Sequence, residues 1–240
     1  METVEIESKG HTQMIAHRGL SGIERENTVP AFVAACNRSY FGVECDIHRT
    51  ADGKYLVYHD DSTPRLCDRD LSMELSDSAS LRALKIRRSG GETFDEFLRI
   101  PTLEEYLAVL TRCGKTAVIE LKNPMEQKSV QQIVEICKAR CDLGKIIFIS
   151  FDLQNLVYLR DLLPQSPLQL LTAEFSEDLL DTLKKHRLDL DIGHWLLTEE
   201  NVRLFKKHGI TVNCWTCDDP ERAKQLIMWG VDYITTNILE

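Results

Sequence analysis

The 240-residue sequence predicts an α/β fold, a closed (β/α)8 TIM barrel formed by one domain over residues 1–240, with a small insertion after the second strand at about 62–100. Three observations lead there. Short β-rich runs alternate with longer stretches whose apolar residues recur every three or four positions, the pattern of a parallel sheet wrapped in helices. Nine strand-like runs reduce to eight β units, the number that closes such a barrel, because two of the nine are joined by too few residues for a parallel crossover. The first βα turn is not the Gly-rich turn that a doubly wound, dinucleotide-binding sheet requires.

The elements follow in order. QMIAH at 13–17 is the first strand, and 28–38 reads as the first helix. GVECDIH at 42–48 is the second strand. Ala51-Asp52-Gly53-Lys54 then turns tightly into YLVYH at 55–59, so these two runs form a hairpin-like excursion. From Ser62 to Ile100 the rhythm is lost in a charged stretch rich in Ser and Asp, placed as an insertion beside the barrel mouth. The alternation resumes with a helix at 102–113 and strand TAVIEL at 116–121, then a helix at 127–141 and strand KIIFIS at 145–150. It continues with a helix at 153–163, strand LQLLTA at 168–173, a helix at 176–187 and strand LDLDIG at 188–193. The last units are a helix at 198–208, strand TVNCW at 211–215, a helix at 219–229 and strand DYITT at 232–236. Asp219-Pro220 supplies an N-cap and a proline in the first turn, while Gly209 and Gly230 follow helix ends.

Composition narrows the function classes. Hydrophobic residues make up 43% and charged residues 28%, enough for a sizeable core and too much for wholesale disorder. The 29 Lys and Arg against 38 Asp and Glu give a net charge of −9, which opposes broad binding to nucleic acid or anionic membrane. No apolar run is long enough to span a membrane. The polar start, METVEIESKGHTQ, has neither the basic nor the apolar region of a secretory signal, so a cytoplasmic location is expected. In that setting the eight cysteines are expected to be reduced and mostly buried. The Cys137/Cys141 and Cys214/Cys217 spacings match no zinc finger, and the second pair does not open a helix as a redox motif would.

The chemistry collects at strand ends, which form the catalytic rim of a barrel. Glu44 and Asp46 share one face of the second strand and Cys45 the other; Glu120 and Lys122 share a face in TAVIELK. Three carboxylates converging without a counter-ion would repel, and an oxygen-only set suits Mg²⁺ or Ca²⁺, with Mn²⁺ a further option, better than structural zinc. His17 ends the first strand and His59 ends the excursion, placing two histidines for acid–base work beside a cation. Asn27-Thr28 is expected to cap the first helix. Trp215 either closes the barrel top or packs on substrate. His48 shares the Glu44/Asp46 face and could support them; His194 could line the mouth without a role. His186 and His208 near helix ends are read as complementing dipoles.

These residues resemble the glycerophosphodiester phosphodiesterase family. Its first motif corresponds to His17-Arg18-Gly19, Glu26-Asn27-Thr28 and Pro30-Ala31-Phe32; its second to Glu44-Cys45-Asp46, Thr50-Ala51-Asp52-Gly53 and His59-Asp60. Ile100-Pro101-Thr102-Leu103-Glu104-Glu105, Glu120-Leu121-Lys122, Ser150-Phe151-Asp152, Trp215-Thr216 and the segment Gly230 to Asn237 extend the similarity from His17 to Asn237. Arg25 stands where proline is common, and Val212-Asn213-Cys214 where more apolar residues are usual. The resemblance implies a metal-dependent barrel that hydrolyses a small-molecule glycerophosphodiester to glycerol 3-phosphate and an alcohol. It also implies Glu44, Asp46 and Glu120 as ligands of one divalent cation, His17 and His59 as the acid–base pair, and Arg18 and Lys122 as charges on the phosphoryl group, with Trp215 against the substrate. Related expectations are a phosphodiesterase for lysophospholipids or phosphoinositols, and a barrel that only binds a phosphodiester.

Overall fold

A computed structural model describes Glu2–Glu240. Eight parallel strands close a ring: β1 (Gln13–Ala16), β2 (Gly42–Arg49), β6 (Thr116–Leu121), β7 (Ile146–Ser150), β8 (Leu168–Thr172), β9 (Asp189–Gly193), β10 (Val212–Trp215) and β11 (Tyr233–Thr236). The ring closes where β1 pairs with β11 on one side and with β2 on the other. The expected excursion is β3 (Tyr55–Val57), antiparallel to the end of β2 with Ile47 opposite Val57.

Seven helices cover the ring: α1 (Val29–Cys36), α3 (Leu103–Cys113), α4 (Gln127–Arg140), α5 (Leu153–Leu162), α6 (Leu179–His186), α7 (Glu199–Lys207) and α8 (Pro220–Trp229). Local chemistry sets their ends. Thr102 and Glu105 form a reciprocal capping box on α3, Asp219 caps α8 with Pro220 behind it, and Gly114 and Gly230 close helices in the left-handed region. Strand alternation divides the interior in two. Cys45, Ile47, Ile119, Phe148 and Leu190 face outward into the layer shared with the helices. Ile15, Val118, Ile147, Ile149 and Leu171 fill the barrel itself.

Between β3 and α3 the irregular stretch holds a short helix, α2 (Ser78–Arg82), and a two-stranded ribbon, β4 (Ile86–Arg87) and β5 (Phe94–Asp95). It has its own apolar cluster, with Leu66, Met73, Leu81, Leu84 and Ile100 around Leu56 and Tyr58 of the excursion.

One expectation is corrected. Cys36 and Cys113 are joined as a disulfide, with Cα atoms 5.9 Å apart, rather than both being reduced. They end α1 and α3, which pack side by side, a proximity that their separation of 77 residues hides. The other six cysteines are free, five of them buried. Among the described residues no helix is long and apolar enough to cross a membrane.

Candidate active site

Glu44 and Asp46 rise from β2 and Glu120 from β6, in register, with Asp46 beside Glu120 across the strand pair. All three are buried, and each offers an oxygen within 4.8 Å of the others. Burial and mutual repulsion push Glu44 well above the usual carboxylate range and Glu120 up to about 7. Asp46 goes the other way, drawn down mainly by Arg18 and Lys122 against the cost of its burial. Asp46 Oδ1 is buried without a hydrogen bond. An oxygen-only cluster with an unmet acceptor and two carboxylates resisting ionisation fits a hard divalent cation.

The two expected cations are already engaged. Arg18 Nη1 donates to Glu26 at 2.9 Å, its Nε lies 3.3 Å from Asp46, and its backbone N–H donates to Glu44 at 2.8 Å. Lys122 Nζ is 2.8 Å from Glu120 and 3.5 Å from Asp46. The chain reaches this arrangement by a sharp turn. Arg18 and Asn27 are in the left-handed region, and so is Gly19, where a Cβ would meet the Ala31 backbone at 2.7 Å. The turn splits the expected cap. Thr28 caps α1 by accepting from Ala31, whereas Asn27 Nδ2 turns inward and donates to Asp46 at 2.8 Å.

Both histidines face the same cavity, of about 140 Å³, which is also lined by Arg18, Glu44 and Glu120. Each has its Nδ1 occupied. His17 Nδ1 is 2.8 Å from Asn237 Oδ1, and the Asn237 amide donates through Nδ2 to Asp218 at 2.6 Å. The Asp218 carboxylate also accepts from the Asn237 and Thr236 side of the strand end, so the amide orientation is fixed and His17 Nδ1 carries the proton. His59 Nδ1 instead meets a carboxylate, Asp60, at 2.7 Å. Arg65, from the irregular stretch, holds Asp60 and reaches on to Glu26, so one chain of ion pairs runs from Arg18 to His59. His48, fully buried, lies 3.2 Å from the His59 carbonyl. Burial lowers both catalytic candidates, His17 to about 4 with Arg18 adding to the effect.

The opposite wall is mostly apolar, Ile149, Phe151, Leu171 and Trp215, with Asp191 set among them. Phe151 and Trp195 meet Trp215 edge-on at 5.6 and 5.5 Å, so Trp215 both lines the cavity and anchors a partly exposed aromatic rim. His194 sits beside Trp195 on that rim.

Sequence reasoning gave no role to Asp60, Arg65, Asn237, Asp218 or Asp191. Asp60 and Asn237 lie within the motifs that carry the resemblance. Asp191 could have been found from LDLDIG itself: with Leu188, Leu190 and Ile192 outward, Asp191 must point into the barrel.

The chain is similar to several known proteins. The Bacillus subtilis (strain 168) glycerophosphodiester phosphodiesterase is 29% identical over 93% of this chain and 82% of its own. An Oleispira antarctica phosphodiesterase, solved in complex with the product sn-glycerol-3-phosphate, superposes with a TM-score of 0.87 at 27% identity over 94% of this chain and 92% of its own. The Thermotoga maritima glycerophosphodiester phosphodiesterase superposes with a TM-score of 0.76 at 29% identity, over 95% of each chain. The sequence model of the glycerophosphoryl diester phosphodiesterase family matches residues 17–240, and the chain belongs to that family.

Proposed function

We propose that the protein is a divalent-cation-dependent hydrolase that cleaves glycerophosphodiesters to glycerol 3-phosphate and an alcohol. The observation that carries this reading is the meeting, at one cavity, of three buried carboxylates and two histidines that each leave Nε2 free. The product bound by the Oleispira antarctica relative supports the substrate class.

Glu44, Asp46 and Glu120 would hold the cation, which when bound polarises the phosphoryl group as a Lewis acid. Arg18 and Lys122 place positive charge against the same edge, where charge on the phosphoryl oxygens must be balanced. His17 is the base. It is neutral because it is buried beside Arg18, and its proton is fixed on Nδ1 by Asn237, so Nε2 is free to accept from the attacking hydroxyl. His59 is the acid. The Asp60 carboxylate behind it stabilises the imidazolium, which can deliver a proton from Nε2 to the leaving alkoxide. The attacking group is either water or the glycerol hydroxyl next to the ester, the latter giving a cyclic phosphate that water then opens.

The test is release of glycerol 3-phosphate from glycerophosphocholine, glycerophosphoethanolamine and glycerophosphoglycerol with Mg²⁺, Ca²⁺ or Mn²⁺, and with EDTA. Release that EDTA abolishes is expected, and His17→Ala and His59→Ala should each lower turnover by about 10²–10⁴-fold. No release by folded protein with any cation would reject the reading. The exposed Phe151 and Trp195 rings favour a second one, a lysophospholipid whose chain lies over the rim, which would then be assayed on the same panel of cations.

A further inference from the structure

Across the cavity from the carboxylate cluster lies a group that the proposed chemistry leaves unused. Asp191 stands on β9, four strands round the ring from β2, so it faces Glu44 and Asp46 across the barrel. It lines the cavity, it is 1% exposed, and its Oδ1 is buried with no hydrogen-bond partner. A buried carboxyl left in this condition costs stability, and nothing in its own layer relieves it.

The neighbours that could have relieved it are committed elsewhere. Asn213 is its register partner on β10, but the Asn213 amide donates to Gln169 at 3.1 Å and accepts from the Thr235 hydroxyl at 3.2 Å. Leu171, its partner on β8, is apolar. The floor of the barrel is thus a polar layer satisfied within itself, at Gln169, Asn213 and Thr235, with one acid left over. Asn213 is also where this sequence is more polar than the family pattern. Above Asp191, Trp215 carries a second unmet group, its buried Nε1–H. One donor and one acceptor, on adjacent strands of one wall, await a partner that can accept and donate, which describes a hydroxyl.

We infer that Asp191 is a specificity-determining residue that hydrogen-bonds the free hydroxyl at the glycerol end of the substrate, with the Trp215 indole N–H completing the site. This rests on the reading proposed above. The glycerol end is assigned here because the space is small. With phosphate held near β1, β2 and β6, about 140 Å³ accommodates a three-carbon fragment against the far wall. The leaving alcohol must then extend past Phe151 and Trp195 into solvent, where its identity matters less. In either protonation state a carboxyl accepts from a hydroxyl, so the contact does not depend on the charge of Asp191.

The experiment compares sn-glycerol 3-phosphate with propane-1,2-diol phosphate, which lacks only the terminal hydroxyl. Binding is measured by calorimetry to the Mg²⁺-loaded wild type, Asp191→Asn and Asp191→Leu. Turnover is followed with glycerophosphocholine, glycerophosphoglycerol and their analogues lacking that hydroxyl. The wild type should prefer the full ligand by about 10–100-fold, and Asp191→Leu should bring the preference close to one while leaving the deoxy ligands little affected. Asp191→Asn should keep part of the preference. Both variants should melt no lower than the wild type, because an unpartnered buried acid has been removed. A preference that survives in Asp191→Leu, or equal losses on both ligands, would overturn the assignment. So would a loss confined to the choline diester, which would make Asp191 a reader of the ammonium. Binding that depends on Asp191 without turnover of any diester would leave this inference standing and reject the proposed hydrolysis.

Discussion

The two histidines differ in the group that meets Nδ1, an amide for His17 and a carboxylate for His59, and the difference divides their roles. Burial beside Arg18 keeps the His17 ring neutral, and the amide oxygen behind it fixes the proton on Nδ1; behind His59 stands a carboxylate, which favours the charged ring against the effect of burial. Asn237 is therefore a positioning residue, held by Asp218 and pointing its oxygen at Nδ1. Asn237→Ala should lower kcat by about 10–100-fold while KM moves little. Imidazole ¹⁵N shifts should show His17 passing from a single tautomer to a mixture. Unchanged shifts would remove Asn237 from this role. Since His17 lies far below the ordinary imidazole range, it remains neutral throughout the physiological range and contributes no acid limb near pH 6.5. This division was not legible in the sequence. His17, His59 and the three acids could be placed by strand parity, but the partner of His17 lies 220 residues away, beyond any periodicity.

At the scale of elements, the turn from β1 into α1 and the irregular stretch after β3 depend on each other. Glu26 sits on the first and Arg65 on the second, and two hydrogen bonds at 2.9 and 2.8 Å join them, while Arg18 takes a third. These cations hold Glu26 well below its ordinary 4.5, at about 2. A carboxyl depressed on folding contributes stability that is complete above the unfolded value and is lost as pH falls through the folded one. The wild type should therefore lose stability between about pH 4.5 and pH 2 by up to about 3 kcal/mol from this group, an upper bound because Arg65 is partly exposed. Glu26→Gln should remove that dependence in denaturant titrations across this range and loosen His59 through Arg65 and Asp60. A parallel acid profile in the variant would show that the ion-pair chain is not coupled to folding. The strand and helix order was readable because each barrel element carries its own apolar period, and α1, α3, α5, α7 and α8 also carry a side-chain cap. The insertion was readable only as a break in rhythm, because its ribbon has two residues per strand and its packing is tertiary. The same limit hid the Cys36–Cys113 pair, whose residues meet only once α1 and α3 lie side by side.

For the molecule as a whole, the barrel sets stability against function at its centre. Closing eight strands forces the inward side chains of β2 and β6 into one small volume, and the sequence places three acids there. Glu44 and Glu120 are raised on folding, opposite in sign to Glu26. A carboxyl raised in the folded state contributes relative stability at low pH and forfeits it as pH rises through the folded value. For Glu120 that window runs from its ordinary 4.5 to about 7. The cation-free protein should thus become less stable as pH rises from about 6.5 toward 8, above the range in which the lowered His17 and His59 work in the opposite direction. A divalent cation should oppose the trend, because it binds the ionised carboxylates of the folded chain and raises its melting temperature by mass action. The stabilisation by Mg²⁺, Ca²⁺ or Mn²⁺ should be small at pH 5 and grow toward pH 8. Glu44→Gln should flatten the cation-free profile, since one of the repelling charges is gone, and should weaken the response to the cation. Scanning calorimetry of both proteins at four pH values, with EDTA and with each cation, decides the matter. A cation response of equal size at every pH, or one retained in Glu44→Gln, would place the binding site away from these three carboxylates and remove the reason for their convergence.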